Sequence, residues 1–272
     1  MTPRPARLVL LGHPVDHSLS PTFQSAALRV AGIPLRYDAI DVEPSSFDTM
    51  LSALVAERAA GNITVPFKAR MHERCDRLTA VAKRVGAVNV FWVDDRGRLV
   101  GDNSDVGGFQ RAVRDLIGGA PRDLSVGVLG GGGAAAAVLA AVEAWPGCAA
   151  QIFNRTPDRA KHLSERFRSI ARAVDDVGAI AGAQLVVNAT TIGLRDDSMP
   201  LDPARVAPGS AVIDLVYRRG ETAWVRELRA RGHRAADGLG MLIEQGALAF
   251  ETWFGLPADR AAMWESIGQS PR

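Results

Sequence analysis

The run Val126-Gly127-Val128-Leu129 leads straight into Gly130-Gly131-Gly132-Gly133-Ala134-Ala135, and no other stretch constrains the fold so tightly. The apolar run reads as a buried strand. Gly130, Gly132 and Ala135 fit the spacing G-x-G-x-x-A. The first glycine makes the tight turn, the second lets a pyrophosphate approach the backbone, and the small third residue lets the next helix pack on the strand. Free N–H groups at the start of that helix then favour phosphate. Taken alone, such a run is equally a glycine-rich loop with no ligand. The strand before it and the helix after it supply the context a dinucleotide site needs.

The rest of the chain alternates in the same way. Before the glycine turn, strands are expected at 7–12, 35–42, 62–65, 87–93 and 98–101, with helices at 21–30, 45–60, 67–75, 79–85 and 105–117. Ser20 reads as the N-cap of the first helix, with Pro21 at its first position and Gly32 past its end. Asp94-Asp95-Arg96-Gly97 reads as a hairpin turn, which gives this half some antiparallel pairing. After Gly118-Gly119-Ala120-Pro121, a breaker cluster, strands are expected at 125–129, 149–153, 185–188, 211–216 and 233–236. Helices are expected at 133–144, 159–167, 221–231, 239–254 and 257–267. Strands alternating with helices argue for a parallel sheet covered on both faces. The fold class is therefore α/β, with a mixed N-terminal unit and a Rossmann-type doubly wound unit.

The second strand of that unit ends in Asn154-Arg155-Thr156, where an NAD site would place a carboxylate. An arginine there can neutralise a 2′-phosphate, with Asn154 and Thr156 adding hydrogen bonds and Arg159 following. NADP is thus favoured over NAD. The blander reading is a solvated charge and an ordinary threonine N-cap before Pro157.

Composition narrows the class of protein. The 272 residues are 47% apolar and 23% charged, with a net charge of +2. This is a globular balance that gives no case for nucleic acid or an anionic membrane as partner. Two cysteines, Cys75 and Cys148, make no disulfide framework and read as packing residues. The apolar stretch 8–11 is too short for a signal peptide and no run approaches a membrane span, so a cytoplasmic location is expected. His13 and His17 have no partners at ligand spacing, and no metal is expected.

Three loops in the first half carry polar residues where strands should end. Ser18-Leu19-Ser20-Pro21 places two hydroxyls at a helix start, which suits a carboxylate ligand. Asn62-Ile63-Thr64-Val65-Pro66-Phe67-Lys68 places a lysine just past a strand. Asn103-Ser104-Asp105-Val106-Gly107-Gly108 opens a helix with an acid. Taken singly, Ser20 is an N-cap, Lys68 a surface charge and Asp105 another N-cap.

Taken together, these loops resemble the shikimate dehydrogenase family in content, order and spacing. Further matching elements are Ala87-Val88-Asn89, Asn154-Arg155-Thr156, Asn188-Ala189-Thr190-Thr191-Ile192-Gly193, Asp214-Leu215-Val216-Tyr217 and the segment from Gly238 to Ala247. The resemblance covers nearly the whole chain. It implies a substrate domain of residues 1–104 and 240–272, an NADP-binding domain of residues 105–239, and an active site in the cleft between them. Ser18 and Ser20 would hold the substrate carboxylate. Thr64, Asn89, Asp105, Tyr217 and Gln245 would contact the carboxylate or ring hydroxyls, and Lys68 and Asp105 would be the catalytic pair. Gly130, Gly131, Gly132, Gly133 and Ala134 would carry the pyrophosphate. Asn154, Arg155, Thr156 and Arg159 would surround the adenosine phosphate, and Leu215 and Gly238 would line the nicotinamide pocket.

The activity so implied is reversible, NADP-dependent reduction of 3-dehydroshikimate to shikimate, in aromatic amino acid and chorismate biosynthesis, by a monomer or homodimer. Several positions depart from the usual family wording. Gln24-Ser25 stand where His-Asn is common, Val90 and Ser104 where Thr is usual, and Ala136 where Arg often follows the glycine turn. Arg218-Arg219 replace the proline expected after Tyr217. These departures keep open a paralogue acting on quinate or an aminoshikimate. A third reading is a non-catalytic NADP-binding sensor, against which the presence of both Lys68 and Asp105 argues.

Overall fold

The computed structural model describes residues 4–218 and 220–270. Arg219, one of the departures after Tyr217, lies outside the described residues. The chain divides into two compact units, Met1–Ser104 with Ile243–Arg272, and Asp105–Leu242.

The first unit runs β1 (Leu8–Gly12), α1 (Ser20–Val30), β2 (Tyr37–Asp41), α2 (Phe47–Ala56), β3 (Ala60–Ile63), α3 (Lys68–Arg74), β4 (Arg77–Leu78), α4 (Ala80–Val85), β5 (Val90–Val93) and β6 (Leu99–Asp102). These strands form a six-stranded sheet of order β2-β1-β3-β5-β6-β4. β1 pairs in parallel with β2 and β3, while β5 runs antiparallel to both β3 and β6. One face packs on Phe47, Leu51, Leu54, Phe67 and Met71, with the Phe47 and Phe67 rings stacked 4.5 Å apart.

The second unit runs α5 (Asp105–Ile117), β7 (Ser125–Leu129), α6 (Gly133–Glu143), β8 (Ala149–Phe153), α7 (Pro157–Arg166), β9 (Ala171–Ala173), α8 (Gly178–Ala181), β10 (Leu185–Asn188), β11 (Ala211–Asp214), α9 (Ala223–Ala230) and β12 (Arg234–Ala236). Its six strands pair in parallel in the order β12-β11-β10-β7-β8-β9. This is the doubly wound order, with its reversal between β7 and β10. Val186, Val212, Trp224, Val225 and Leu228 fill one core cluster. Ala135, Ala136 and Ala137 are buried on α6, so the alanine run serves close helix–sheet packing.

Helices α10 (Leu239–Phe254) and α11 (Arg260–Ser266) end the chain, and the division between the units falls within α10. In the first unit Trp253 is fully buried and donates its indole N–H to Phe91 O at 3.2 Å. No helix among the described residues is long and apolar enough to cross a membrane.

Most expected elements are present, and the differences have local causes. The helix expected at 45–60 is only Phe47–Ala56, because the chain turns at Arg58 with φ of 53° and feeds Ala60 into β3. The strand expected at 62–65 therefore starts and ends two residues earlier. Ser20 is not the N-cap of α1: it is itself helical, and the Ser18 hydroxyl accepts its N–H at 3.2 Å. Thr156 does hold the N-cap position of α7, but its side chain makes no cap bond. β4, β9 and α8, of two, three and four residues, are too short to show a period in the sequence.

Gly61 fixes the first sheet most tightly, since a Cβ there would lie 2.0 Å from Val9 O on the neighbouring strand. That contact is backbone and cannot turn aside. Gly61→Ala should lower stability by about 1–3 kcal/mol, readable as a reduced denaturation midpoint.

Candidate active site

The topology of the first unit brings its polar loops to one edge. The loops after β1 and β3 leave the carboxyl ends of parallel neighbours. Asn89 precedes β5, antiparallel to β3, and Ser104 follows β6, antiparallel to β5, so both fall at that same edge. The serine loop and the Thr64 segment are in direct contact. His13 N donates to Val65 O at 3.0 Å, and a Cβ on Gly12 would lie 2.3 Å from Thr64 Cγ2. Ser18, Thr64 and Lys68 are half-buried and Ser20 is buried. Lys68 opens α3, and its carbonyl accepts the Val88 N–H at 2.9 Å, which ties this loop to the segment carrying Asn89.

Asn89 is 2% exposed and organises the edge. Its Nδ2 donates to Ser104 Oγ at 3.1 Å and to Gln245 Oε1 at 3.3 Å, and its Oδ1 accepts the Ser104 N–H at 2.8 Å. Gln245, on α10, is thereby fixed against the two loops. Behind it Asn62 Nδ2 donates to Asn89 O at 3.0 Å, and Tyr37 donates its hydroxyl to Asn62 Oδ1 at 2.7 Å. Burial pushes the Tyr37 phenol well above its usual range, so it stays a donor. Gln24, one turn beyond Ser20, donates to Gly246 O at 2.9 Å and clasps α1 to α10. Neither Tyr37 nor the role of Gln24 was legible in sequence, because their partners lie 25 and 222 positions away. Asp105 is buried at the start of α5.

In the second unit Gly130 has φ of 124°, and a Cβ there would meet Ala189 O at 2.7 Å. Only glycine suits that conformation and that approach. Gly131 faces the next strand's end, where a Cβ would lie 2.7 Å from Arg159 Cβ and 3.1 Å from Asn154 Cγ. The structure therefore brings Gly131, Asn154 and Arg159 together. Gly132, the N-cap of α6, is exposed, makes no side-chain cap bond and has nothing within 4 Å of a would-be Cβ. Gly133 and Ala134 form the first turn of α6, so their N–H groups are of the kind that helix starts offer to an anion. Asn154 Nδ2 donates to Thr156 O at 2.8 Å, and Arg155, Thr156 and Arg159 are exposed. Leu215 and Gly238 are also adjacent, since a Cβ on Gly238 would lie 2.3 Å from Leu215 O. Tyr217 is half-buried two residues beyond Leu215.

A doubly wound sheet with this glycine turn, joined to a second α/β unit rich in buried carboxamides, defines a two-unit protein of the dinucleotide-binding class. Comparison with known proteins makes the class specific. The family model for the shikimate dehydrogenase substrate-binding domain matches residues 10–91, and that for the shikimate 5′-dehydrogenase C-terminal domain matches residues 238–267. The NADP(+) shikimate dehydrogenase of Rubrobacter xylanophilus is 40% identical over 95% of this chain and 94% of its own. The structure of shikimate 5-dehydrogenase from Thermus thermophilus, in complex with NADP(H) and shikimate, superposes with a TM-score of 0.87 at 40% identity, covering 96% of this chain and 97% of that one. Quinate dehydrogenase from Corynebacterium glutamicum, in complex with NAD, has the same TM-score at 29% identity, over 96% and 97% of the two chains. The chain belongs to the shikimate dehydrogenase family.

Asn89→Ala should strand the Ser104 N–H in a buried setting. A loss of about 1–3 kcal/mol is expected from that one unsatisfied donor, and a urea melt would measure it.

Proposed function

We propose that the protein is an NADP-dependent shikimate dehydrogenase, reversibly reducing 3-dehydroshikimate to shikimate in chorismate and aromatic amino acid biosynthesis. The observation that carries this reading is the convergence of Ser18, Ser20, Thr64, Lys68 and Asn89 at one edge of the first sheet, with Gln245 bonded to Asn89. A hydroxylated ring carboxylate needs such a set of hydroxyl and carboxamide partners. In this reading residues 1–104 and 240–272 are the substrate domain and residues 105–239 the NADP domain. The working form is a cytoplasmic monomer or homodimer.

The residues present fit the dinucleotide. The open Gly132 position and the uncapped first turn of α6 leave room and donors for a pyrophosphate. Arg155, with Asn154, Thr156 and Arg159, offers positive charge and hydrogen bonds to a 2′-phosphate. Leu215 and Gly238 line the nicotinamide end. When bound, the nicotinamide supplies or accepts the hydride at the substrate carbon.

The protein's own part is binding and proton transfer. Ser18 and Ser20 hold the carboxylate, and Thr64, Asn89, Tyr217 and Gln245 fix the ring. As the carbonyl oxygen of the substrate gains negative charge, the Lys68 ammonium stabilises it and delivers the proton that makes the hydroxyl. In the oxidative direction a neutral Lys68 takes that proton back. Asp105 is the second member of the catalytic pair and orients the reacting hydroxyl.

A quinate-type paralogue is the second reading, favoured by Gln24 at a position where the family commonly has His. An assay of nicotinamide reduction with shikimate or quinate, each with NADP or NAD, separates the readings. Turnover confined to shikimate with NADP supports the first. Preference for quinate or NAD supports the second. NADPH binding without turnover on any substrate overturns both in favour of the sensor. Lys68→Ala should lower kcat by roughly 100- to 10,000-fold with little change in substrate binding. A variant turning over at the wild-type rate would remove Lys68 from the chemistry.

A further inference from the structure

The Asp214-Leu215-Val216-Tyr217 segment holds a buried acid to which the proposed mechanism gives no part. Asp214 ends β11 and is 0% exposed. Its Oδ1 accepts Asn188 Nδ2 at 2.8 Å and the Val216 N–H at 3.1 Å, and its Oδ2 accepts the Thr222 hydroxyl at 2.8 Å. Asn188 lies on the neighbouring strand, and Val216 and Thr222 lie at the two ends of the loop after β11.

Asn188 ends β10. Its Oδ1 accepts both the N–H and the hydroxyl of Thr190, at 3.0 and 2.7 Å, so it sets the loop that begins at Ala189. That loop is the one pressed against Gly130 in the phosphate turn. Val216 lies between Leu215 and Tyr217, and its carbonyl accepts the Gly238 N–H at 3.0 Å. Thr222 caps α9 and so holds the far end of the loop after β11. One carboxylate thus connects the pyrophosphate turn, by way of Asn188, with the two backbone segments that line the nicotinamide end.

We propose that Asp214 is a positioning residue for the dinucleotide, holding the loops after β10 and β11 in the one arrangement that receives its nicotinamide end. This rests on the NADP reading above. An ionised carboxylate accepts all three of these bonds at once. Charge-assisted bonds are roughly twice as strong as neutral ones, and both bonds at Oδ1 restrain a loop.

The charge is held at a cost, which makes the device readable by pH. Burial, with the nearby charge of Asp237 after β12, pushes the Asp214 carboxyl up to about 6 against the pull of its three donors. The neighbours from β10 and α9 that bond it, Asn188 and Thr222, are uncharged. Above that value the carboxylate accepts all three bonds. As pH falls through it, the proton settles on Oδ2, where the Thr222 hydroxyl can turn round and accept. The two bonds at Oδ1 then lose their charge assistance, and the loops slacken.

The test is NADPH binding without substrate, followed by nucleotide fluorescence across this pH range. Wild type should bind more weakly as pH falls through the Asp214 titration. Asp214→Asn keeps Oδ1 and replaces Oδ2 by a donor, so it copies the protonated acid. It should bind NADPH about tenfold more weakly than wild type at alkaline pH, the size of one weakened charge-assisted bond, and should lose that limb of the profile. A limb due to the 2′-phosphate itself, which titrates near the same pH, would persist in this variant and is told apart in that way. Thr222→Val should move the limb to higher pH, because it removes a donor that favours the charged form, and Thr222→Ser should restore it. A folded Asp214→Asn protein with wild-type affinity at every pH overturns the assignment. Should that variant not fold, a limb unmoved by Thr222→Val overturns it equally. Wild type that binds no NADPH at any pH overturns the cofactor reading itself, before any variant is compared.

Discussion

Every peptide group at the end of a buried strand must find a partner other than water, and in the first unit a row of carboxamides provides it. Asn62 bonds Asn89 O and Asn103 bonds Ala87 O, while Gln24 reaches a helical carbonyl, Gly246 O in α10. A carboxamide carries donor and acceptor on one head and no charge, so it closes such gaps at a smaller desolvation cost than a carboxylate. The same heads hold the edge where Ser18, Thr64 and Lys68 meet. Fold and function are not separate demands here. The groups that let the loops be buried also fix where a polar ring could sit, before any ring arrives.

The second unit meets the same constraint with glycine and a single acid. Between β7 and β10 the strand order reverses, the point at which doubly wound sheets receive their ligands. Gly130 and Ala189 lie in contact at that point, so the phosphate turn is seated on the loop after β10. That seat is as firm as Asn188, and Asn188 is bonded to Asp214. A glycine turn alone would supply room without rigidity. The buried acid at the end of the neighbouring strand, β11, supplies the rigidity.

Much of this was legible because glycine and alanine announce close approach. β7, β8, β10, α5 and α10 were each read with the bounds the structure shows, since their apolar runs are bracketed by breakers. The ends of α2 and β3 were misread because tertiary contact with Val9 decides where β3 begins, and propensity carries no trace of that. In the site, the residues that would touch ligands stood out as polar side chains at strand ends. Those that hold them in place did not. Tyr37 lies on an ordinary strand, and the expected helix 221–231 puts Thr222 in its first turn, whereas Thr222 is the N-cap of a shorter helix. Ser18 and Ser20 both stand out at the helix start, but only the geometry shows the Ser18 hydroxyl accepting the Ser20 N–H.

The departures from the usual family wording bear on function through what each one keeps. Ser104, standing for threonine, still places a hydroxyl between Asn89 and Gln245. Gln24, standing where histidine is common, ties α1 to α10 through Gly246 O. Both residues are engaged in hydrogen bonds at the buried edge of the first unit. Ala136 differs in kind. It is buried on the packing face of α6 and brings no charge to the phosphate turn. In the NADP reading the positive charge for the 2′-phosphate then falls to Arg155 and Arg159, both exposed at the end of β8. On that reading, discrimination between NADP and NAD would rest on solvent-facing guanidinium groups, whose pull on phosphate weakens as salt rises.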